Sequence, residues 1–267
     1  MADEPTTASE PAALYERRGN VALITLNRPR AMNAVNGALS TAVGTYLEQA
    51  EADDEVRVVV ITGSGRAFCA GADLKALGSG QSLEAEGHPE WGFAGFAQHW
   101  VSKPTIAAVN GFALGGGTEL VLASDLAIVD ENAQLGLPEV KRGLFAAAGG
   151  VIRLQQQVPK KIALEIALTG EPISAAQGKE LGLVNRVAPA GTALDVALEL
   201  AEKIAVNAPL SVRESKAMIH RTALEPDWEQ GAWDANTKAL ALVFGSEDAQ
   251  EGPRAFAEKR EPVWKGR

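Results

Sequence analysis

The sequence predicts an α/β core followed by a helical C-terminal region. Three observations carry that expectation. Residues 56–62 and 105–109 are short, β-branched apolar runs without period-two alternation, the pattern of strands buried on both faces. Both run into glycine-bearing loops ahead of helical stretches, at Ile61-Thr62-Gly63 and Val109-Asn110-Gly111, a thin recurrence of one strand–turn–helix unit. From about Pro159 onward the chain reads as one helix after another.

In order, residues 1–11 are acidic, with Thr, Ser and Pro, and read as a disordered tail. Residues 14–17 and 21–26 flank Gly19-Asn20, a hairpin turn pair. Asn36 is an N-cap ahead of Leu39, Val43, Tyr46 or Leu47, and Ala50 at helical spacing. Residues 78–90 form a polar loop, and a short apolar helix is expected over 116–123, followed by a strand at 126–129. Helices are then expected over 159–168, 175–181, 192–207, 210–222, 228–244 and 247–259, with a lone strand at 183–187. Thr192 is expected to cap a stripe of Leu194, Ala197, Leu198, Ala201, Ile204 and Ala205. No linker forces separate domains. The expected division is a tail to residue 11, a core over 12–200 and a helical region over 201–267 that makes the trimer contacts, all one continuous domain.

With 267 residues and 28.0 kDa, the chain buries a large core without staples. Its net charge of −9 and pI near 5.0 disfavour nucleic acid and anionic membrane as partners. Cys69 is the single cysteine and there are three histidines, which excludes an internal disulfide and a Cys/His zinc site. The uncharged stretch from Pro104 to Thr118 has 15 residues, too few and too polar to span a bilayer. The N-terminus lacks the basic and apolar regions of a signal peptide, so a cytoplasmic protein is expected.

Common catalytic signatures are missing from the sequence. No Ser has Gly at both −2 and +2, no Gly-Lys-Ser/Thr closes a phosphate loop, and Phe68 stands where a dinucleotide fingerprint needs glycine. What remains is two loops rich in small residues after buried strands, Ala70-Gly71-Ala72-Asp73 and Gly115-Gly116-Gly117. Small residues let a ligand approach bare backbone N–H groups, and two such groups converging on one oxygen make an oxyanion hole. The same glycines also serve a tight turn or close helix packing. Glu119 falls in the first turn of the helix after the glycines, and Glu139 sits among apolar neighbours before Gly143. Two carboxyls in different surroundings divide acid and base work, although a lone glutamate is more often a surface charge.

At this point the chain resembles a family. The run from Lys103 to Leu120 around Asn110-Gly111-Phe112-Ala113-Leu114-Gly115-Gly116-Gly117 is similar to the signature of the enoyl-CoA hydratase/isomerase (crotonase) family. So are Leu26-Asn27-Arg28-Pro29, Phe68-Cys69-Ala70-Gly71-Ala72-Asp73-Leu74, Leu137-Pro138-Glu139, Gly182-Leu183-Val184-Asn185 and Glu251-Gly252-Pro253-Arg254-Ala255-Phe256, collinear from about residue 14. The resemblance implies a crotonase-like spiral of ββα repeats with a C-terminal helical region, assembled as a trimer or a hexamer of two trimers. It implies an acyl-CoA thioester substrate, its carbonyl held by the N–H groups of Ala72 and Gly116, and syn addition of water to a 2-enoyl-CoA by Glu119 and Glu139. No cofactor beyond the CoA of the substrate, and no metal, is implied. Arg30, Ala31, Met32, Ala70, Gly71, Asp73, Leu74, Leu114, Gly115, Pro138 and Gly143 are the expected substrate and CoA contacts. Arg30 or Lys75, and more remotely Lys259 or Lys265, are candidates to face the CoA phosphates. Which glutamate is protonated at rest stays open.

Two departures bear on the acyl group. Ala146-Ala147-Ala148-Gly149-Gly150 stands where many hydratases have Pro-Gly-Ala-Gly-Gly, and Leu137 replaces a frequent glutamine. They leave room for a branched, aromatic or carnitine-type acyl group. Trp91, Phe96 and Trp100 are expected to pack rather than to wall the pocket. The competing functions are a Δ3/Δ2-enoyl-CoA isomerase, which needs the Glu139 position, and a silent acyl-CoA-binding or RNA-binding family member.

Overall fold

The computed structural model describes residues 10–226 and 229–267. Residues 1–9 of the expected tail lie outside the described residues, as does Trp228 at the expected start of one helix.

Strands β1 (Ala13–Arg18) and β2 (Val21–Leu26) form the antiparallel hairpin, and Gly19 takes the left-handed φ of +58° that its turn requires. Helix α1 (Gly37–Ala52) starts where Asn36 Oδ1 accepts from Leu39 N at 3.1 Å, and it turns Leu39, Val43, Leu47 and Ala50 inward. The chain then repeats one move. It lays β3 (Val58–Gly63), crosses to β4 (Ala67–Cys69) and enters α2 (Leu74–Gly78). It lays β5 (Thr105–Val109), crosses to β6 (Phe112–Leu114) and enters α3 (Gly116–Ala123). A third pass gives β7 (Leu126–Asp130) and β8 (Gln134–Gly136), then a 3-10 turn, Pro138–Arg142, with α4 (Gly150–Gln157) and α5 (Lys160–Thr169) beyond it. The remainder is β9 (Ile173–Ser174), α6 (Ala175–Glu180), β10 (Arg186–Ala188), α7 (Ala193–Ala205), α8 (Pro209–Thr222), α9 (Gln230–Phe244) and α10 (Glu247–Glu258).

Each pass therefore gives one strand to each of two sheets, ordered β1-β2-β3-β5-β7-β10 and β4-β6-β8-β9. The first is parallel from β2 onward, and the second is parallel except at β8–β9. This is the spiral of ββα units that the resemblance implied. The recurrence at Gly63 and Gly111 marks the crossing between sheets, and Asn110 fastens two crossings together. Its Oδ1 accepts from Gly63 N at 3.2 Å and its Nδ2 donates to Gly65 O at 2.9 Å.

Four readings change. The second sheet and α4 were not foreseen, because strands of two or three residues leave no period to detect. The lone late strand is β10 at residues 186–188, because Leu183 and Val184 pack into the core ahead of it. Thr192 does not cap α7 with its side chain, because its hydroxyl donates to Pro189 O at 2.8 Å. The expected boundary after residue 200 falls inside α7. This helix lays Ala193, Ala197, Ala201 and Ala205 against Val21, Leu23, Val58, Val60 and Ile106 of the large sheet, alanines permitting close approach.

Candidate active site

Two loops reach one cavity because polar clamps hold their backbones. Asn33, fully buried, accepts from Arg28 N at 2.8 Å and donates to Ser64 O, Ala67 O and Phe68 O. Ala70 N donates to Met32 O, Val35 N donates to Gly71 O, and Asp73 N donates to Val35 O. That alternation leaves the Ala72 N–H on the other side of the chain, donating to none of the described residues. Gly71 has φ +91°, and a Cβ there would lie 2.9 Å from Leu114 O, so the two loops touch backbone to backbone. On the second loop, Gly115 takes φ +55° to turn the chain from β6 into α3. Gly116 is the first residue of that helix, where N–H groups have no intrahelical acceptor, and its own donates to none of the described residues. The Phe93 ring packs against Gly116 so closely that a Cβ would collide with it.

Glu119 lies one turn into α3 and is 4% exposed. Its Oε1 accepts from Gly150 N at 2.9 Å, and a Cβ at position 150 would sit 2.9 Å from that same oxygen. Burial pushes its carboxyl up to about 7; Glu139 adds to the rise, while the amides of Gly150 and Ala148 and the cation of Arg153 oppose it. Glu139 sits in the 3-10 turn, and burial raises its carboxyl too. Its Oε2 is buried with no hydrogen-bond partner among the described residues, and its Oε1 faces Gly115, where a Cβ would lie 3.0 Å away.

The cavity between them has a volume of about 610 Å³. Of the expected residues, Glu119, Glu139, Ala72, Gly116, Met32, Ala70, Gly71, Leu74, Leu114, Gly115 and Pro138 line it. Arg30, Ala31, Asp73 and Gly143 do not. The Asp73 carboxylate is committed elsewhere, pairing with Arg28 at 2.9 Å and capping α2 through Lys75 N and Ala76 N. Lys75, Lys259 and Lys265 also stand outside the lining, Lys265 paired with Glu247. The cations that do reach it are Lys141 and Arg142, and Lys141 pairs with Glu171 at 2.5 Å. They stand two and three residues after Glu139 in sequence, and that proximity was the signal available. Trp91 and Phe96 are buried and Trp100 lies outside the lining; Phe93 and Phe145, not singled out before, are the aromatic residues on it. Cys69 is buried and its thiol is pushed up to about 12, which removes it as a nucleophile.

Residues 16–267 match the family model described as Enoyl-CoA hydratase/isomerase. The enoyl-CoA hydratase EchA19 of Mycobacterium tuberculosis (strain ATCC 25618 / H37Rv) is 40% identical over 98% of this chain and 99% of its own length. A carnitinyl-CoA dehydratase of Salmonella agona (strain SL483) is 44% identical over 94% of this chain and 97% of its own. Among solved structures, an enoyl-CoA hydratase from Mycobacterium tuberculosis H37Rv is similar with TM-score 0.92 and 45% identity, covering 97% of this chain and 100% of that one. A carnitinyl-CoA hydratase from Mycobacterium avium is similar with TM-score 0.78 and 57% identity, covering 97% and 100%.

Proposed function

Because the chain belongs to the enoyl-CoA hydratase/isomerase family, we propose that it adds water to a 2-enoyl-CoA thioester and gives a 3-hydroxyacyl-CoA. The observation that carries this reading is two bare backbone donors and two carboxyl groups around one cavity. The N–H groups of Ala72 and Gly116 hold the thioester oxygen as negative charge gathers on it. Glu119, its oxygen already accepting from Gly150, takes a proton from the attacking water. The water oxygen bonds to the β-carbon and the π electrons move into the enolate. Glu139 then gives its proton to the α-carbon, which suits a carboxyl whose buried Oε2 takes no donor from the described residues to stabilise an anion. The cycle leaves Glu119 protonated and Glu139 ionised, and solvent resets both. Delivery of water and proton from carboxyls that open on one cavity fits a syn addition.

Every step is water addition, proton transfer or oxyanion stabilisation, so we take the CoA of the substrate to be the only cofactor needed. We assign the pantetheine arm to Met32, Ala70 and Leu74, which line the cavity. We place the protein in the cytoplasm; no described helix is long and apolar enough to cross a membrane. Assembly as a trimer or hexamer is proposed through residues 201–267, because α9 buries none of its described residues within the chain and turns Leu240, Leu242 and Phe244 outward.

A second reading concerns the acyl group. Glu84 lines the same cavity as Phe93 and Phe145, a carboxylate and two aromatic rings of the kind that accept a quaternary ammonium. With relatives named for carnitinyl-CoA, this favours a cationic acyl substituent over a plain straight chain.

The test is purified protein with crotonyl-CoA and with a cationic 2-enoyl-CoA, following the conjugated thioester absorbance and the product mass. A gain of one water is the expected result. Conversion of a 3-enoyl thioester to its conjugated isomer, with no water added to any 2-enoyl thioester, overturns the hydratase reading.

A further inference from the structure

Arg153 lies on α4, three residues beyond Gly150, and its guanidinium works between two walls of the cavity. Its Nη2 donates to Ala97 O at 2.6 Å, and its Nη1 donates to Ala148 O at 3.4 Å. Ala97 belongs to the segment whose Gly92, Phe93 and Gln98 line the cavity, and Ala148 belongs to the strap that ends in Gly150. The guanidinium thus ties the Phe93 wall to the strap whose N–H holds Glu119. It is half-buried and makes no ion pair with a described carboxylate. The charged group that acts on it is Glu119, and the action is mutual.

We infer that Arg153 is the positioning residue of Glu119: it fixes the strap that presents the Gly150 N–H and sets a permanent positive charge behind the Glu119 carboxylate. The inference rests on reading Glu119 as the base of the hydration. Two carboxyl groups facing one cavity resist being ionised together, so a base beside an acid needs a fixed cation to stay charged. Arginine suits this place because it keeps its charge when buried and its planar fork reaches carbonyls on two segments at once. Lysine supplies the charge without the fork, and methionine supplies the packed stem without the charge.

The test is the pH dependence of kcat in Arg153→Met and Arg153→Lys, with the infrared titration of the Glu119 carboxyl, its band assigned by its loss in Glu119→Gln. Arg153→Met should move the acid limb of kcat, and the infrared midpoint, up by about one pH unit, so that turnover on the acid side falls about tenfold and recovers at alkaline pH. Arg153→Lys should keep both near their original positions even where the loosened strap lowers kcat. Should Arg153→Met not fold, Arg153→Gln, neutral but able to donate to Ala97 O, carries the same expectation. Equal loss of turnover at every pH in both variants, with limb and midpoint unmoved, shows that Arg153 only packs and overturns the inference. The infrared arm separates this from the hydratase reading. A midpoint that moves in a protein hydrating no enoyl-CoA removes that reading and leaves the Arg153–Glu119 coupling in place; a midpoint that stays in an active enzyme removes the coupling alone.

Discussion

Glu119 and Glu139 face the same cavity, yet their surroundings differ in the one respect that decides a carboxyl's work. Glu119 stands on a regular helix and takes a backbone N–H from Gly150, with Arg153 acting on it. Glu139 stands on a 3-10 turn, and its buried Oε2 takes nothing from the described residues. Burial raises both; Glu119 is opposed by the amides of Gly150 and Ala148 and the cation of Arg153, Glu139 by its own backbone N–H alone. In the proposed mechanism the carboxyl with more donors and a nearby cation is the base, and the one with fewer is the acid.

The largest expected effect breaks that comparison directly. Glu119→Gln and Glu139→Gln should each lower kcat for hydration by about 10³-fold, within the range for a lost general acid or base, and leave acyl-CoA affinity within a few fold. Isomerisation of a 3-enoyl thioester, where it occurs, should survive Glu119→Gln better than Glu139→Gln; equal losses in steady-state assays of both reactions would blur the two roles. Next in size is the proposed oxyanion site. Gly116→Val forces its side chain into the Phe93 ring, and kcat should fall about 10²-fold, measured on the folded variant. Gly71→Ala meets Leu114 O at a left-handed backbone position, so it should lower stability by about 1–3 kcal/mol in denaturant titrations.

The pH predictions sharpen the comparison. With Glu119 pushed up to about 7, kcat should drop as pH falls through that region, because the base becomes protonated. Its stability effect has the opposite direction. A carboxyl raised above its unfolded value stabilises the fold at low pH, and that contribution is lost as pH rises through about 7. Glu119→Gln, which carries no charge to bury, should therefore gain stability over the parent between pH 5 and pH 8, by up to about 3 kcal/mol. Thermal melts at the two pH values check it.

Much of the site was legible because its parts are contiguous in sequence. A buried strand, a glycine loop and a helix start are local patterns, and they placed Gly116 and Glu119 on α3 with the bounds the structure has. What the sequence hid was carried across the chain. Asn33 reads as one polar residue among many, and only the fold brings Ser64, Ala67 and Phe68 carbonyls to its amide. Arg153 lies on α4, a helix with no signal in the sequence, and only the fold brings it onto Ala97, 56 residues away. Phe93 and Phe145 carry no period, so nothing local distinguished them from the buried Trp91 and Phe96. Asp73 misled in the other direction: it lies inside the matching motif, but its carboxylate serves Arg28 and the start of α2.

The most direct test of the central claim is hydration of a 2-enoyl-CoA in deuterium oxide by the parent protein, Glu119→Gln and Glu139→Gln, with the product read by mass and the α-carbon by proton NMR. The parent should give a 3-hydroxyacyl-CoA with one deuterium at the α-carbon. Each variant should lose water addition while still binding the thioester. Water addition at the parent rate in either variant would contradict the division of acid and base between these two carboxyls.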